Sequence, residues 1–191
     1  MDDTKPSAEA TALQSENERL RKEVEILGAR VAELDRVAHM DPLVPVANRR
    51  GLVRQLEIAI ARRARHKIDS ALLFVDVDGL KSLNDTYGHS VGDAALLTLA
   101  DVMVRSVRKT DLVARLGGDE FAILIDHADE KSAAEAARRV AMAVDDCEFL
   151  HDGRMLPLGI AVGFTLIVPD DDPEAVLDRA DKEMYRDKAA A

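Results

Sequence analysis

Apolar residues near the start of the chain recur with a strict seven-residue step. Valine at the a position with leucine at d favours a parallel two-stranded coiled coil, and a lone asparagine at a fixes its register and dimeric state. The step therefore predicts a dimeric coiled coil over residues 13–40, after an N-terminal segment, 1–12, expected to be disordered. The d positions are Leu13, Leu20, Leu27 and Leu34, and the a positions are Asn17, Val24, Val31 and Ala38.

The charges that flank the seam formed by these a and d positions agree with a parallel pair of helices. In register, Glu16 faces Arg21 of the other helix and Arg30 faces Asp35, so both pairs attract. The alternative is a single amphipathic helix docked on its own domain, but the narrow seam favours the dimer. Pro42 ends the helix, because proline disfavours the helical conformation of the residue before it.

Beyond this break, helix and strand signals alternate. Residues 48–67 predict a helix capped by Asn48, and residues 70–78 predict a strand buried on both faces, since their apolar run lacks polar alternation. A short connection at 117–120 joins two apolar strands as a hairpin. The order predicts an α+β, ferredoxin-like domain over residues 41–191, with a central antiparallel sheet flanked by helices. Further helices are predicted at 80–87, 91–108, 132–144 and 173–188, and strands at 112–116, 121–125, 147–150 and 156–167, the last two around an Asp152-Gly153 turn.

Composition limits the classes of partner. Apolar residues make up 47% of the chain, and the formal charge of −10 argues against a surface that binds nucleic acid or anionic lipid. The single cysteine, Cys147, excludes an internal disulfide and favours a reducing compartment. A polar N-terminus and the absence of an apolar run of about 18 residues predict a cytoplasmic protein that is neither secreted nor membrane-spanning.

Two acidic pairs stand where predicted strands end or reverse. Asp76 and Asp78 end the buried strand and, two positions apart, point to the same face. Asp119 and Glu120 form the hairpin tip after two glycines. Either pair alone could be a helix cap or a solvated turn. Together they predict an oxygen-rich site suited to Mg²⁺ and the phosphates of a substrate.

Residues 115–121, which read Arg-Leu-Gly-Gly-Asp-Glu-Phe, resemble the GGDEF motif that names the diguanylate cyclase family. Residues 74–81 resemble the family's metal-binding strand end, and residues 84–93 resemble its nucleotide-binding helix pair. The resemblance covers about residues 41–188. It implies a homodimer that condenses two GTP into cyclic di-GMP and two pyrophosphates, one GTP on each of two facing domains.

The resemblance also implies roles for individual residues. Asp76, the Val77 carbonyl, Asp119 and Glu120 would hold two Mg²⁺ ions, which Mn²⁺ could replace. Asp119 would accept a proton, and Lys81 would neutralise charge on the phosphates. The implied substrate contacts are Asn84 and Asp93 at the guanine edge, Leu96 against the base, and His89, Gly79, Leu80 and Lys188 elsewhere on the nucleotide.

Several of these positions have a plainer alternative. Lys81 and His89 could be ordinary surface groups, and Leu96 could be a core residue. The carboxylate of Asp93 indicates a guanine nucleotide more specifically. Guanine offers it an N1–H and a 2-amino donor, and adenine offers no such pair.

A second site is implied at residues 108–111, which resemble the family's RxxD inhibitory site for the product. Arg108 would bind guanine and phosphate, Asp111 would bind a guanine edge, and Arg139 would be a second arginine. The alternative is an arginine that complements a helix C-terminus.

The match departs from the family pattern at one turn. Residues 43–47 read Leu-Val-Pro-Val-Ala where the family usually has Leu-Thr-Gly-Leu, so this turn should differ locally. The arginine that follows Lys188 in the family would fall beyond Ala191. Two rival functions are a non-catalytic sensor of cyclic di-GMP and a coiled-coil adaptor, and the intact acids argue against both.

Overall fold

The heptad-bearing segment forms one long helix, α1 (Ala8–His39). The computed structural model describes residues 8–190, with the side chains of residues 12–186 and 188. The helix begins at Ala8 rather than at residue 13, and the disorder expected for residues 1–7 lies outside the described part. The chain divides into two units between Ala38 and His39. In the single chain the leucine seam is uncovered, with Leu20 47% exposed and Leu34 69% exposed.

From His39 to Ala190 the described chain forms five further helices and seven strands. In chain order they are β1 (Ala47–Asn48), α2 (Arg49–His66), β2 (Ser70–Val77), α3 (Leu80–Tyr87), α4 (His89–Ser106), β3 (Leu112–Gly117), β4 (Glu120–Asp126), α5 (Glu130–Asp145), β5 (Phe149–His151), β6 (Arg154–Leu156), β7 (Ile160–Leu166) and α6 (Pro173–Ala190). Asn48 caps α2 as predicted, because its side-chain oxygen accepts the Gly51 amide at 2.9 Å. Among the described residues, none of the helices combines the length and the apolar character needed to cross a membrane.

The main sheet has the strand order β1-β3-β4-β2-β7. Four of its strands pair antiparallel, and β1 adds a two-residue parallel pair beside β3. The predicted α+β fold with flanking helices is therefore confirmed, and the sheet is mixed rather than wholly antiparallel. A strand as short as β1 carries no hydrophobic period, which is why the sequence pattern does not reveal it.

The central strand β2 is buried on both faces, as predicted. Leu73 and Val75 belong to the core beneath α4 and α5, and Leu72 and Phe74 belong to the core beneath α2 and α6. A run without polar alternation suits a strand covered on both sides. The polar end of β2, at Asp76, lies where this cover ends and is half-buried.

Helix α6 crosses the edge strand β7 at very close range. A Cβ at Gly163 would overlap the backbone nitrogen and Cα of Met184. Only glycine allows the two backbones to approach this closely. The crossing brings the C-terminal turns of α6 beside the acidic end of β2.

The predicted strand over residues 156–167 is wrong as a single element. Its first residue belongs to β6, which pairs with β5 in a separate two-stranded sheet, and its residues 160–166 form β7 of the main sheet. Pro157 separates them, because it has no amide to donate to a strand ladder. The predicted turn is confirmed: Asp152 and Gly153 both have positive φ, 48° and 74°, as a tight two-residue hairpin loop requires.

Candidate active site

The two acidic pairs meet because β2 and β4 are antiparallel neighbours. Asp76 lies opposite Glu120 in the register, and the Val77 amide donates to the Asp119 carbonyl at 3.0 Å. The hairpin tip thus folds back onto the end of the buried strand. The four positions implied as metal ligands stand together at one end of the sheet.

Negative charge accumulates at this end of the sheet. Partial burial raises the pKa of Glu120 above its ordinary value, and the carboxylates of Asp119, Asp181 and Asp76 raise it further, while Arg49 opposes them. The sequence pattern singles out neither Asp181 nor Arg49. The spacing of Asp181 could have indicated its place in the site. It lies seven residues, or two helical turns, before Lys188 on α6 and so shares the face of α6 that carries Lys188.

Lys188 occupies the gap between the strand-end acids. Its Nζ lies 2.5 Å from Asp76 Oδ1 and 3.1 Å from Asp78 Oδ1. The hydrogen bond to Asp76 raises the pKa of Lys188; partial burial opposes this effect and the contact with Asp78 supports it. The side chain implied as a phosphate ligand therefore lies on the carboxylates themselves, at a place where a positive charge is stabilised.

The residues present fit a divalent cation by their chemistry. Carboxylates and a backbone carbonyl are the hard oxygen donors that Mg²⁺ prefers, and it commonly takes one or two carboxylates together with substrate phosphates. In the part of the chain that the structure describes, no three His, Cys, Asp or Glu side chains are already arranged as a metal cage. The mutual repulsion around Glu120 and the ammonium beside Asp76 both indicate a site that favours positive charge.

The hairpin tip is held by Arg115, whose role the sequence pattern does not reveal. Its Nε and Nη2 donate to the Gly118 carbonyl at 3.1 and 2.8 Å, and its Nη1 lies 3.3 Å from Asp41 Oδ1. The same Asp41 oxygen accepts the amides of Leu43 and Val44, both at 2.9 Å. Arg115 thus ties the hairpin at 117–120 to the turn at 41–44, which overlaps residues 43–47, the segment that departs from the family pattern.

Helix α3 begins directly after the acidic end of β2. Gly79 has a left-handed backbone with φ of 69°, which turns the chain from strand into helix. Gly79 and Leu80 line a cavity of about 500 Å³ together with Leu158 and Gly159. Lys81 is exposed at the start of α3. These residues stand beside the strand-end acids.

The implied base-binding residues lie on α3 and α4. Asn84 is half-buried on α3, whereas Asp93 and His89 are exposed in the first turns of α4. Leu96 is 3% exposed and belongs to the main hydrophobic core, which agrees with the packing alternative for that residue. Asn84 and Asp93 thus flank the corner at which the two helices meet.

The three residues of the implied inhibitory site lie near the C-terminal end of α4. Both carboxylate oxygens of Asp111 accept backbone amides, from Arg108 at 2.9 Å and from Asp126 at 3.2 Å. Arg139 Nε donates to the Ser106 carbonyl at 2.7 Å. Asp111 therefore shapes the loop, while the exposed Arg108 side chain borders a cavity of about 280 Å³.

Comparison with known proteins places this geometry in a family. Residues 38–191 match the family profile described as diguanylate cyclase, GGDEF domain. The chain is 38% identical to the probable diguanylate cyclase DgcE of Escherichia coli K12, over 82% of this chain and 14% of DgcE. It is 35% identical to diguanylate cyclase TpbB of Pseudomonas aeruginosa UCBPP-PA14, over 96% of this chain and 44% of TpbB.

The fold is also similar to solved structures. The coiled coil and GGDEF domain of DgcB from Caulobacter crescentus, solved in complex with c-di-GMP, superposes with a TM-score of 0.85 at 25% identity, covering 94% of this chain and 96% of that one. The chain spans less than half the length of the two curated relatives, DgcE and TpbB. Over residues 38–191, the chain belongs to the GGDEF-domain family of diguanylate cyclases.

Proposed function

We propose that this protein is a diguanylate cyclase that joins two GTP molecules into cyclic di-GMP and releases two pyrophosphates. The observation that carries the proposal is the meeting of Asp76, Asp119 and Glu120 where β2 and β4 pair. A buried strand that ends in clustered carboxylates is costly for a purely structural domain. The names of the similar proteins support the same activity.

In each half-reaction the 3′-oxygen of one GTP attacks the α-phosphorus of the other. A new O–P bond forms, the bond between the α-phosphorus and the bridging oxygen breaks, and pyrophosphate leaves with the electron pair. Asp119 accepts the proton of the 3′-hydroxyl. Lys81, Lys188 and the amides that begin α3 hold the phosphates and balance their charge.

We place two Mg²⁺ ions, replaceable by Mn²⁺, at Asp76, the Val77 carbonyl, Asp119 and Glu120. When bound there, divalent metal would neutralise the triphosphate and make the attacking hydroxyl more acidic. The Lys188 ammonium, which lies on Asp76 in this structure, is within the same cluster and is suited to a phosphate oxygen.

The reaction needs two GTP-loaded domains that face each other. The uncovered seam of α1 supports a parallel dimer that supplies the second domain. A short tether of this kind gives an effective concentration in the millimolar range, on the order of that found for short linkers. Each domain then contributes one nucleotide to a shared reaction.

We expect the enzyme to choose GTP when GTP and ATP are offered together at equal concentration. Adenine would leave the Asp93 carboxylate without its two donors, which lowers use of ATP by roughly 10- to 100-fold. Chromatography of the products measures the choice directly. The matched variant Asp93→Asn keeps the shape of the side chain and removes its charge. It should reduce the preference for GTP over ATP. Equal incorporation of both bases by the unchanged protein would contradict this assignment.

We also propose that the product inhibits the enzyme through Arg108. Arg108→Ala should leave the initial rate of cyclic di-GMP formation intact. It should weaken inhibition by added product about tenfold, because it removes a charged hydrogen-bonding pair. The measurement is the initial rate at increasing product concentration. Lys109→Ala removes a neighbouring charge and serves as the control. Asp111 is unsuitable for substitution because its carboxylate holds two backbone amides.

If Arg108→Ala is inhibited as strongly as the unchanged protein, product binding at residues 108–111 is refuted. A loss of initial rate in the same variant would instead show that Arg108 contributes to the stability of the catalytic domain or to its chemistry.

A further inference from the structure

Gly92 is a buried glycine in the first turns of α4 whose backbone does not require glycine. Its φ is not in the left-handed region, and within a helix glycine is less favourable than alanine. Conformation therefore gives no reason for a glycine here. The reason lies in what surrounds its Cα.

A side chain at this position would collide with Asn84. A Cβ on Gly92 would overlap Asn84 Oδ1 and would lie 2.9 Å from its Cγ and 3.2 Å from its Nδ2. All three are atoms of the carboxamide, not of the backbone. The missing side chain thus forms a slot that the end of Asn84 fills.

The slot confines the oxygen end of the Asn84 carboxamide. Among the described residues, its Oδ1 is buried and has no hydrogen-bond partner. A buried carbonyl oxygen left unpaired is unfavourable, so the position is imposed by the packing of the two helices. An unpaired buried polar group in a folded protein needs an explanation, and a role in ligand binding is one such explanation.

The backbone at the corner between the helices fixes the slot. The Gly88 amide donates to the Asn84 carbonyl at 2.8 Å, and the Gly92 amide donates to the Gly88 carbonyl at 3.4 Å. These two backbone hydrogen bonds link Asn84, Gly88 and Gly92, which are spaced four residues apart, in one corner. Asp93, the exposed acid assigned to the guanine edge, directly follows Gly92.

We propose that Gly92 is a positioning residue for guanine recognition, because its missing side chain makes the slot that holds the Asn84 carboxamide beside Asp93. This inference rests on the proposed use of GTP. Gly92 itself touches no substrate. It acts by fixing the distance between two groups that read one base.

The test is a double-mutant cycle on nucleotide binding. We would measure the Kd of α,β-methylene GTP, which cannot react at the leaving bond, by calorimetry. Gly92→Ala should raise this Kd at least tenfold, about as much as Asn84→Ala does. In the Asn84→Ala background the slot is empty, so adding Gly92→Ala should change the Kd less than twofold and should raise Tm. Gly28→Ala, where a Cβ meets nothing within 4 Å, controls for the glycine-to-alanine change in a helix.

Three outcomes overturn the inference: an unchanged Kd in Gly92→Ala, a further tenfold rise in Kd when Gly92→Ala is added to Asn84→Ala, or a fall in Tm on Gly92→Ala that is as large in the Asn84→Ala background as in the unchanged protein. If Gly92→Ala does not fold, the double variant still decides, because recovery of folding on removal of the Asn84 side chain is expected only if the two groups collide. Failure of the unchanged protein to bind α,β-methylene GTP would refute the proposed function instead.

Discussion

Replacing Asp119 with alanine is expected to lower the rate of cyclic di-GMP formation by about a thousandfold or more. The change removes the proposed proton acceptor, and general-base catalysis alone contributes about 10²- to 10⁴-fold. It also removes an oxygen donor from the proposed metal site. The rate should be measured by product chromatography, on protein from which bound product has been stripped.

The fold should survive this substitution. The contact that joins the hairpin tip to β2 is made by the Asp119 backbone carbonyl, which receives the Val77 amide, and alanine keeps that carbonyl. The circular dichroism spectrum and Tm of the variant should therefore stay close to those of the unchanged protein. Asp178→Ala, which removes an exposed acid on α6, is the matched control and should retain full activity.

Full activity in Asp119→Ala would refute the assigned chemistry. Loss of activity together with loss of the folded state would show instead that the hairpin depends on the Asp119 side chain for stability. Circular dichroism separates these two results.

The acidic half of the candidate site is predictable from local sequence. Asp76 follows an unbroken apolar run, and the glycine pair before Asp119 marks a hairpin, so the two elements and their acids can be found without a structure. Antiparallel pairing then makes Asp76 and Glu120 neighbours. Local patterns suffice here because each functional group stands at the end of its own regular element.

The contacts between distant segments are not predictable in this way. Arg115 and Asp41 are 74 residues apart, and Lys188 and Asp76 are 112 apart. Both contacts depend on how whole elements pack, which no residue period encodes. The close crossing of α6 over Gly163 decides where Lys188 lies, and it is visible only once both backbones are placed.

The incorrect prediction of a single strand over residues 156–167 has a local cause. Apolar residues on both sides of Pro157 give a continuous strand signal, although proline cannot donate to a ladder. The chain uses the break to leave the β5–β6 ribbon and enter the main sheet at β7. Pro157 marks the end of the first strand more reliably than the apolar pattern marks a continuous strand.

Charge in the α1 seam is expected to make activity depend steeply on protein concentration. Leu20→Glu with Leu27→Glu places like charges opposite each other at two d positions, which disfavours a parallel pair. Without the tether, two GTP-loaded domains must meet from solution rather than at an effective concentration of about a millimolar. At roughly micromolar protein the rate per subunit should fall at least tenfold, and it should recover as protein concentration rises.

The matched control is Ile26→Glu, which introduces the same charge on the same helix outside the seam. Ile26 is 59% exposed and lies at a c position, whereas Leu20 and Leu27 are 47% and 51% exposed at d. Exposure in the single chain thus barely distinguishes the three, and only a parallel dimer makes two of them critical. Sedimentation velocity and the rate per subunit, measured across the same concentrations, should change together in the seam variant and remain unchanged in Ile26→Glu. A seam variant that stays dimeric and fully active at micromolar protein would show that the two nucleotides are brought together by another surface of residues 39–191.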